Sequence, residues 1–135
     1  MNENSKTVET KDRKGILSTL WIFAMLNYLY ADVFTLFFNP AAHTETLAMP
    51  PEAVLAFAIM METAIAMVLL SRLLKYGVNR WANMIAGIFY TALVAWSLTG
   101  AVQPPFYVMF ASIEIACTLF IAWYAWKWRN PESQP

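Results

Sequence analysis

A chain of 135 residues is a single domain by length, and 59% hydrophobic residues with a mean hydropathy of +0.47 put it far outside the range of soluble globular proteins. Nine basic and nine acidic residues cancel, so there is no electrostatic pull toward nucleic acid or an acidic partner. The lone cysteine, Cys117, excludes an internal disulfide, and a lone histidine, His43, with no CxxC or HxxE spacing gives no metal-ligand set.

Residues 1–14 are polar, mixed in charge and free of aromatics, and read as a disordered cytoplasmic tail. A four-helix membrane domain follows over residues 15–129. Its first helix, about 17–38, is long enough to cross hydrocarbon. A cleaved signal peptide would be shorter, would lack Asn27 and Asp32, and would end in a small-x-small site, so this helix is read as retained. Pro40 ends it by pushing Asn39 out of helical geometry.

The loop over 39–49 carries His43 and Glu45 but no Lys or Arg. Pro50-Pro51-Glu52 then starts a second helix, about 53–74, with proline in the first turn and an acid on the positive end of the dipole. Arg72 and Lys75 mark its far end, and Gly77 suits a left-handed position after it. The short connection over 76–80 makes the second and third helices antiparallel neighbours. The third helix, about 81–99, sets Asn83, Gly87 and Tyr90 on one face. The fourth, about 106–128, does the same with Tyr107, Ala111, Glu114 and Thr118. Trp123, Tyr124, Trp126 and Trp128 at its end read as an interfacial aromatic belt, and residues 130–135 as a second cytoplasmic tail. The fold class is therefore all-α, a four-transmembrane-helix antiparallel bundle.

The basic residues sit in the N-terminal tail, around the second connection (Arg72, Lys75, Arg80) and at the C-terminal end, and the other two connections have none. By the positive-inside rule both termini and the middle connection face the cytoplasm.

The stretch Asn27-Tyr28-Leu29-Tyr30-Ala31-Asp32 organises the rest. A carboxylate within an apolar run is expensive in hydrocarbon and has to face protein or water. Tyr28 and Asp32, four apart, share one helical face. Two more runs carry an acid, Glu62 and Glu114. At about 1.5 Å per residue the three lie roughly 9, 14 and 12 Å from the outer ends of their helices, so a simple bundle gathers them into one pocket in the outer half of the membrane. Asn27, Tyr28, Tyr90 and Tyr107 complete the candidate ligand-binding set. Three carboxylates so close cannot all ionise cheaply, which leaves at least one protonated at neutral pH. The competing interpretation is that each acid is glue, bonded to a tyrosine or a carbonyl across a helix pair. Cys117 and the eight methionines are read as packing.

The segment from Met61-Glu62-Thr63-Ala64 through Ser71-Arg72 to Arg80-Trp81-Ala82 resembles the DoxX-like group of small bacterial membrane proteins, where an acid early in the second helix precedes a run of small residues and leucines. Leu17-Ser18-Thr19-Leu20-Trp21 with Leu26 to Asp32 resembles a bacterial four-helix membrane family known only as a domain of unknown function, over nearly the whole chain. The resemblance implies a bacterial inner membrane, and for the DoxX-like group a link to thiosulfate or quinone redox complexes.

These observations lead to an accessory protein whose acidic, tyrosine-lined pocket takes a small amphipathic or cationic ligand such as a lipid or quinone. The alternatives are a small proton-coupled transporter working as a homo-oligomer, an accessory subunit of a membrane redox complex, and a purely structural protein. No haem, flavin or iron-sulfur ligand set and no nucleophile-base pair is present in the sequence, so no cofactor and no catalytic residue is expected. The lipid bilayer is the one partner the composition dictates.

Overall fold

Proline sets the punctuation of the chain. The computed structural model describes residues 3–100 and 103–128, and within them the regular elements are α-helices: α1 (Glu3–Phe38), α2 (Pro40–Leu47), α3 (Pro51–Leu73), α4 (Tyr76–Ser97) and α5 (Pro105–Lys127). Three of the five begin on proline, whose missing N–H costs nothing in a first turn. Pro50 and Pro104, each extended with ψ 152°, supply the bend that precedes α3 and α5.

Four long helices and the short α2 match an all-α bundle, with three differences from the sequence expectation. Residues 3–14, expected as a disordered tail, continue α1 as helix. No glycine or proline interrupts them before Gly15, Glu9 and Arg13 stand four apart, and the Arg13 guanidinium lies 4.6 Å over the Tyr124 ring while donating to the Tyr124 carbonyl at 3.3 Å. The expected loop over 39–49 contains α2. The connection expected over 76–80 shrinks to Leu74 and Lys75, both extended, and Gly77 falls in the first turn of α4 without a positive φ. The Asn79 amide explains this: it donates to Ser71 O at 2.7 Å and Leu74 O at 3.2 Å, satisfying carbonyls that a left-handed glycine cap would otherwise serve. The tail over 130–135 and the side chain of His43 lie outside the described residues.

Cross-helix contacts fix the course of the chain. Ser18 Oγ donates to Val68 O, Arg13 meets Tyr124, Phe34 packs on Phe106 and Phe110, and Tyr76 and Ser97 meet Trp128 and Tyr107. In these pairs α1 against α5 and α4 against α5 run in opposite directions, and with the two-residue turn that reverses α3 into α4 they give an up-down-up-down bundle. α4 lies most closely on α5, and α1 packs on both α3 and α5. The sequential neighbours α3 and α4 pack far less closely than α4 and α5, and side-chain hydrogen bonds from Ser71 to Asn83 and from Tyr90 to Met60 O bridge them.

The close α4–α5 seam has a specific cause. A Cβ on Gly87 would stand 2.8 Å from Thr118 O and 3.1 Å from the Ala122 Cβ, so only glycine lets the two backbones come so near. Thr91 and Thr118 hydroxyls bond across the same seam at 2.7 Å. Around it the core gathers Leu17, Trp21, Ala64, Met67, Tyr90, Cys117, Ile121 and Trp128. Trp128, expected in an interfacial belt, belongs to this core: it is buried, its ring meets that of Tyr76 edge-on at 5.1 Å, and its carbonyl accepts the Tyr76 hydroxyl. Trp123 and Trp126 remain exposed beside Lys127.

Three helical segments, Lys11–Phe38, Pro51–Leu73 and Pro105–Lys127, are long and apolar enough to cross a membrane. α4, at 22 residues, has the length but brings Asn79, Arg80 and Asn83 into its first turns, which lowers its hydropathy. The outward faces of the helices carry Phe37, Phe38, Leu55, Ile85, Trp96 and similar side chains, a surface suited to acyl chains.

Candidate functional site

In the half of the bundle away from the α3–α4 turn the four long helices leave a cavity of about 590 Å³. α1 supplies Tyr28, Ala31, Asp32 and Thr35 to its wall, α3 Val54, Phe57, Met60 and Met61, α4 Tyr90, Leu93, Val94 and Ser97, and α5 Tyr107 and Glu114. The wall is largely apolar and aromatic with a few polar atoms, and its size is that of a small-molecule site.

The polar atoms are unequally satisfied. Tyr90 donates its hydroxyl to Met60 O, tying α4 to α3 at the cavity floor, and Tyr107 donates to Ser97 Oγ at 2.9 Å. Thr35 Oγ1 donates to Ala31 O one turn back. Glu114, by contrast, is only 5% exposed, and its Oε1 has no hydrogen-bond partner among the described residues. The Tyr28 hydroxyl is orphaned in the same way. Tyr28 also stacks at a tilt on Tyr90, with centroids 5.8 Å apart. Two buried unpaired oxygens on the wall of one cavity are unusual, because leaving such a group unsatisfied costs about 1–3 kcal/mol.

Of the residues singled out in the sequence, Asp32, Glu114, Tyr28, Tyr90 and Tyr107 meet around this cavity. Glu114 is buried and Asp32 exposed, which sets Asp32 at the rim. Glu62 does not join them. It is exposed on the far side of α3 from the buried Ala64, Met67 and Ser71, so the convergence of three acids is corrected to a pair. Asn27 is also absent from the wall: its amide donates to Phe23 O of its own helix at 2.9 Å.

Sequence reasoning missed a second polar cluster at the opposite end, though Asn79 and Asn83 at i, i+4 signalled it. Asn83 Oδ1 accepts from Trp21 Nε1 at 2.7 Å and Ser71 Oγ at 3.2 Å, while its Nδ2 donates to Asn79 Oδ1 and Asn79 O. Ser18 Oγ donates to Val68 O and accepts from Arg72 Nε at 3.2 Å. With its amides and hydroxyls all engaged, this cluster fixes the register of α1, α3 and α4 and has nothing left for a ligand.

Among the described residues no group of three or more His, Cys, Asp and Glu side chains could hold a metal ion. The cavity can instead hold a small molecule with a large apolar surface and a hydrogen-bond donor or positive charge for the Glu114 carboxyl.

No curated protein and no solved structure matches the chain. These comparisons give no support to the DoxX-like resemblance read from Glu62 and the run after it. A family model matches residues 6–134, from the first turns of α1 to the C-terminal tail, which fits the four-helix family foreseen in the sequence. The chain thus belongs to the family of unknown function DUF6326.

Proposed function

We propose that this protein is a multi-pass membrane protein that holds a small amphipathic ligand, such as a lipid or a quinone, or a cationic hydrophobe, in the cavity between α1, α3, α4 and α5, in an accessory role without chemistry of its own. The observation that carries this reading is the pair of buried oxygens, Glu114 Oε1 and the Tyr28 hydroxyl, on two residues that line the cavity and with no hydrogen-bond partner among the described residues. A ligand donor at Glu114, with the Tyr28 and Tyr90 rings alongside, would satisfy what the bundle leaves open. Tyr107 and Asp32 complete the polar edge toward the cavity's rim.

In this reading α4 crosses the bilayer with the other three long helices, because it packs along the whole of α5 and its polar residues point inward. The positive-inside rule then puts the termini and the α3–α4 turn in the cytoplasm of a bacterial cell, and the cavity in the outer half of the inner membrane.

Purification in native-membrane nanodiscs, followed by mass spectrometry of co-purifying molecules, tests it. A stoichiometric small molecule is expected with the wild type. Glu114→Gln, which keeps the shape and replaces the carboxyl by an amide, should retain at least about tenfold less of it. A correctly folded Glu114→Gln variant that carries the same load, or a wild type that carries none, overturns the proposal.

A further inference from the structure

Glu62 is the middle residue of the 23-residue α3, about 17 Å along the helix from either end. It is exposed, and lies roughly 160° round the helix from the buried Ala64 at 100° per residue. Among the described residues no hydrogen bond or ion pair holds it. A carboxyl group at the mid-level of a bilayer that faces acyl chains costs several kcal/mol, and such residues almost always turn toward protein.

The residues around it say what kind of protein. Leu55, Ile59, Glu62, Ala66, Leu69 and Leu73 follow one another at alternating steps of four and three and form the outward face of α3, with Leu55, Ile59, Leu69 and Leu73 each more than half exposed. Steps of four and three give a mean spacing of 3.5 residues, the seam of a left-handed helix pair, and a single polar residue in such a seam fixes register. Ala66, one turn from Glu62, keeps the two backbones close there.

We propose that this face of α3 pairs with the same face of a second copy of the chain, in parallel, about a two-fold axis normal to the membrane, so that the two Glu62 carboxyls meet and hydrogen-bond to each other at the centre of the seam. Copies of one chain share orientation and depth in the bilayer, and an isologous two-fold contact sets like residues opposite one another, so each Glu62 finds its twin at its own level. The basic residues of this chain lie in the first third of α1, around the α3–α4 turn and at the end of α5 or beyond, none of them in the middle of a helix, which leaves a carboxyl as the self-complement of Glu62 in a second copy. The pair is held when the O–H of one carboxyl donates to the other. The opposite face of α3 lines the cavity, so this contact is independent of the ligand proposed above.

Disulfide cross-linking of the full chain in isolated membranes, in a Cys117→Ser background, tests the pairing. Ala66→Cys on the seam is expected to give a covalent dimer on oxidation, at least fivefold more than Ile65→Cys, its neighbour about 100° round the helix. In mild detergent Glu62→Leu should weaken the dimer about threefold to tenfold while Glu62→Gln, still able to hydrogen-bond, keeps it. The two cysteine positions read the geometry even where a Glu62 variant folds badly. Equal cross-linking at Ala66 and Ile65, no cross-linking at either, or a cross-linked band containing a different protein overturns the proposal.

Discussion

Asn83 shows how one side chain can join three helices. Its carbonyl oxygen uses both lone pairs, on Trp21 Nε1 of α1 and Ser71 Oγ of α3, and its amide nitrogen reaches back to Asn79 on its own helix. Replacing it by leucine strands the buried indole N–H and the Ser71 hydroxyl, so Asn83→Leu should cost about 1–3 kcal/mol. Trp21→Phe removes the donor with its partner left intact. A double-mutant cycle between the two, read by detergent-induced unfolding and far-UV circular dichroism, is expected to give a coupling of about 0.5–3 kcal/mol, and additivity would show that the bond contributes nothing. Asn83 was legible in the sequence as a polar residue on an otherwise apolar face. Trp21 was not, because a tryptophan in an apolar run carries no sign of its partner. Glu62 shows the same limit for direction: α3 is apolar nearly all round, so its pattern names an acid without saying which way it turns.

α4 is the reverse case. Its apolar and polar residues segregate, and the face read from spacing alone, Asn83, Gly87 and Tyr90, is the buried face. Gly87 sets the distance between α4 and α5. Gly87→Ala should gain up to about 1 kcal/mol in helix propensity, yet the new Cβ would meet the Thr118 carbonyl, backbone that cannot swing aside. The clash should win by about 1–3 kcal/mol net destabilisation. Gly77→Ala, with nothing within 4 Å of its new Cβ, should be neutral or slightly stabilising. Thermal melts of both variants in one detergent check the sign, and similar shifts for the two would remove the close approach as the reason for Gly87. The helix boundaries that spacing misplaced involve partners outside the element itself: Tyr124 on α5 holds the N-terminal part of α1 through Arg13, and Asn79 of α4 closes α3 by reaching back across the turn.

At the scale of the whole molecule, the all-α bundle was the most legible property, since long apolar runs punctuated by prolines need no tertiary information. The cavity was half legible: depth along each helix could be counted, whereas rotation about the axis of α3 could not. With Cys117→Ser as background, Lys75→Cys in the α3–α4 turn should react with an impermeant thiol reagent only from the cytoplasmic side, and Ala48→Cys between α2 and α3 only from the other. Both reacting from one side would reject the four-span arrangement. The pairing of the first helix with the last has a consequence for biosynthesis. Arg13 waits for Tyr124, 111 residues later, and the Leu20 carbonyl waits for Cys117, 97 residues later. Translation therefore delivers a chain whose N-terminal span stays half-dressed in the bilayer until α5 has been made, and α4 cannot close its glycine seam sooner. Nascent chains that stall before α5 would present unpaired polar groups to membrane proteases, so loss of the last helix should show as rapid degradation of the entire polypeptide.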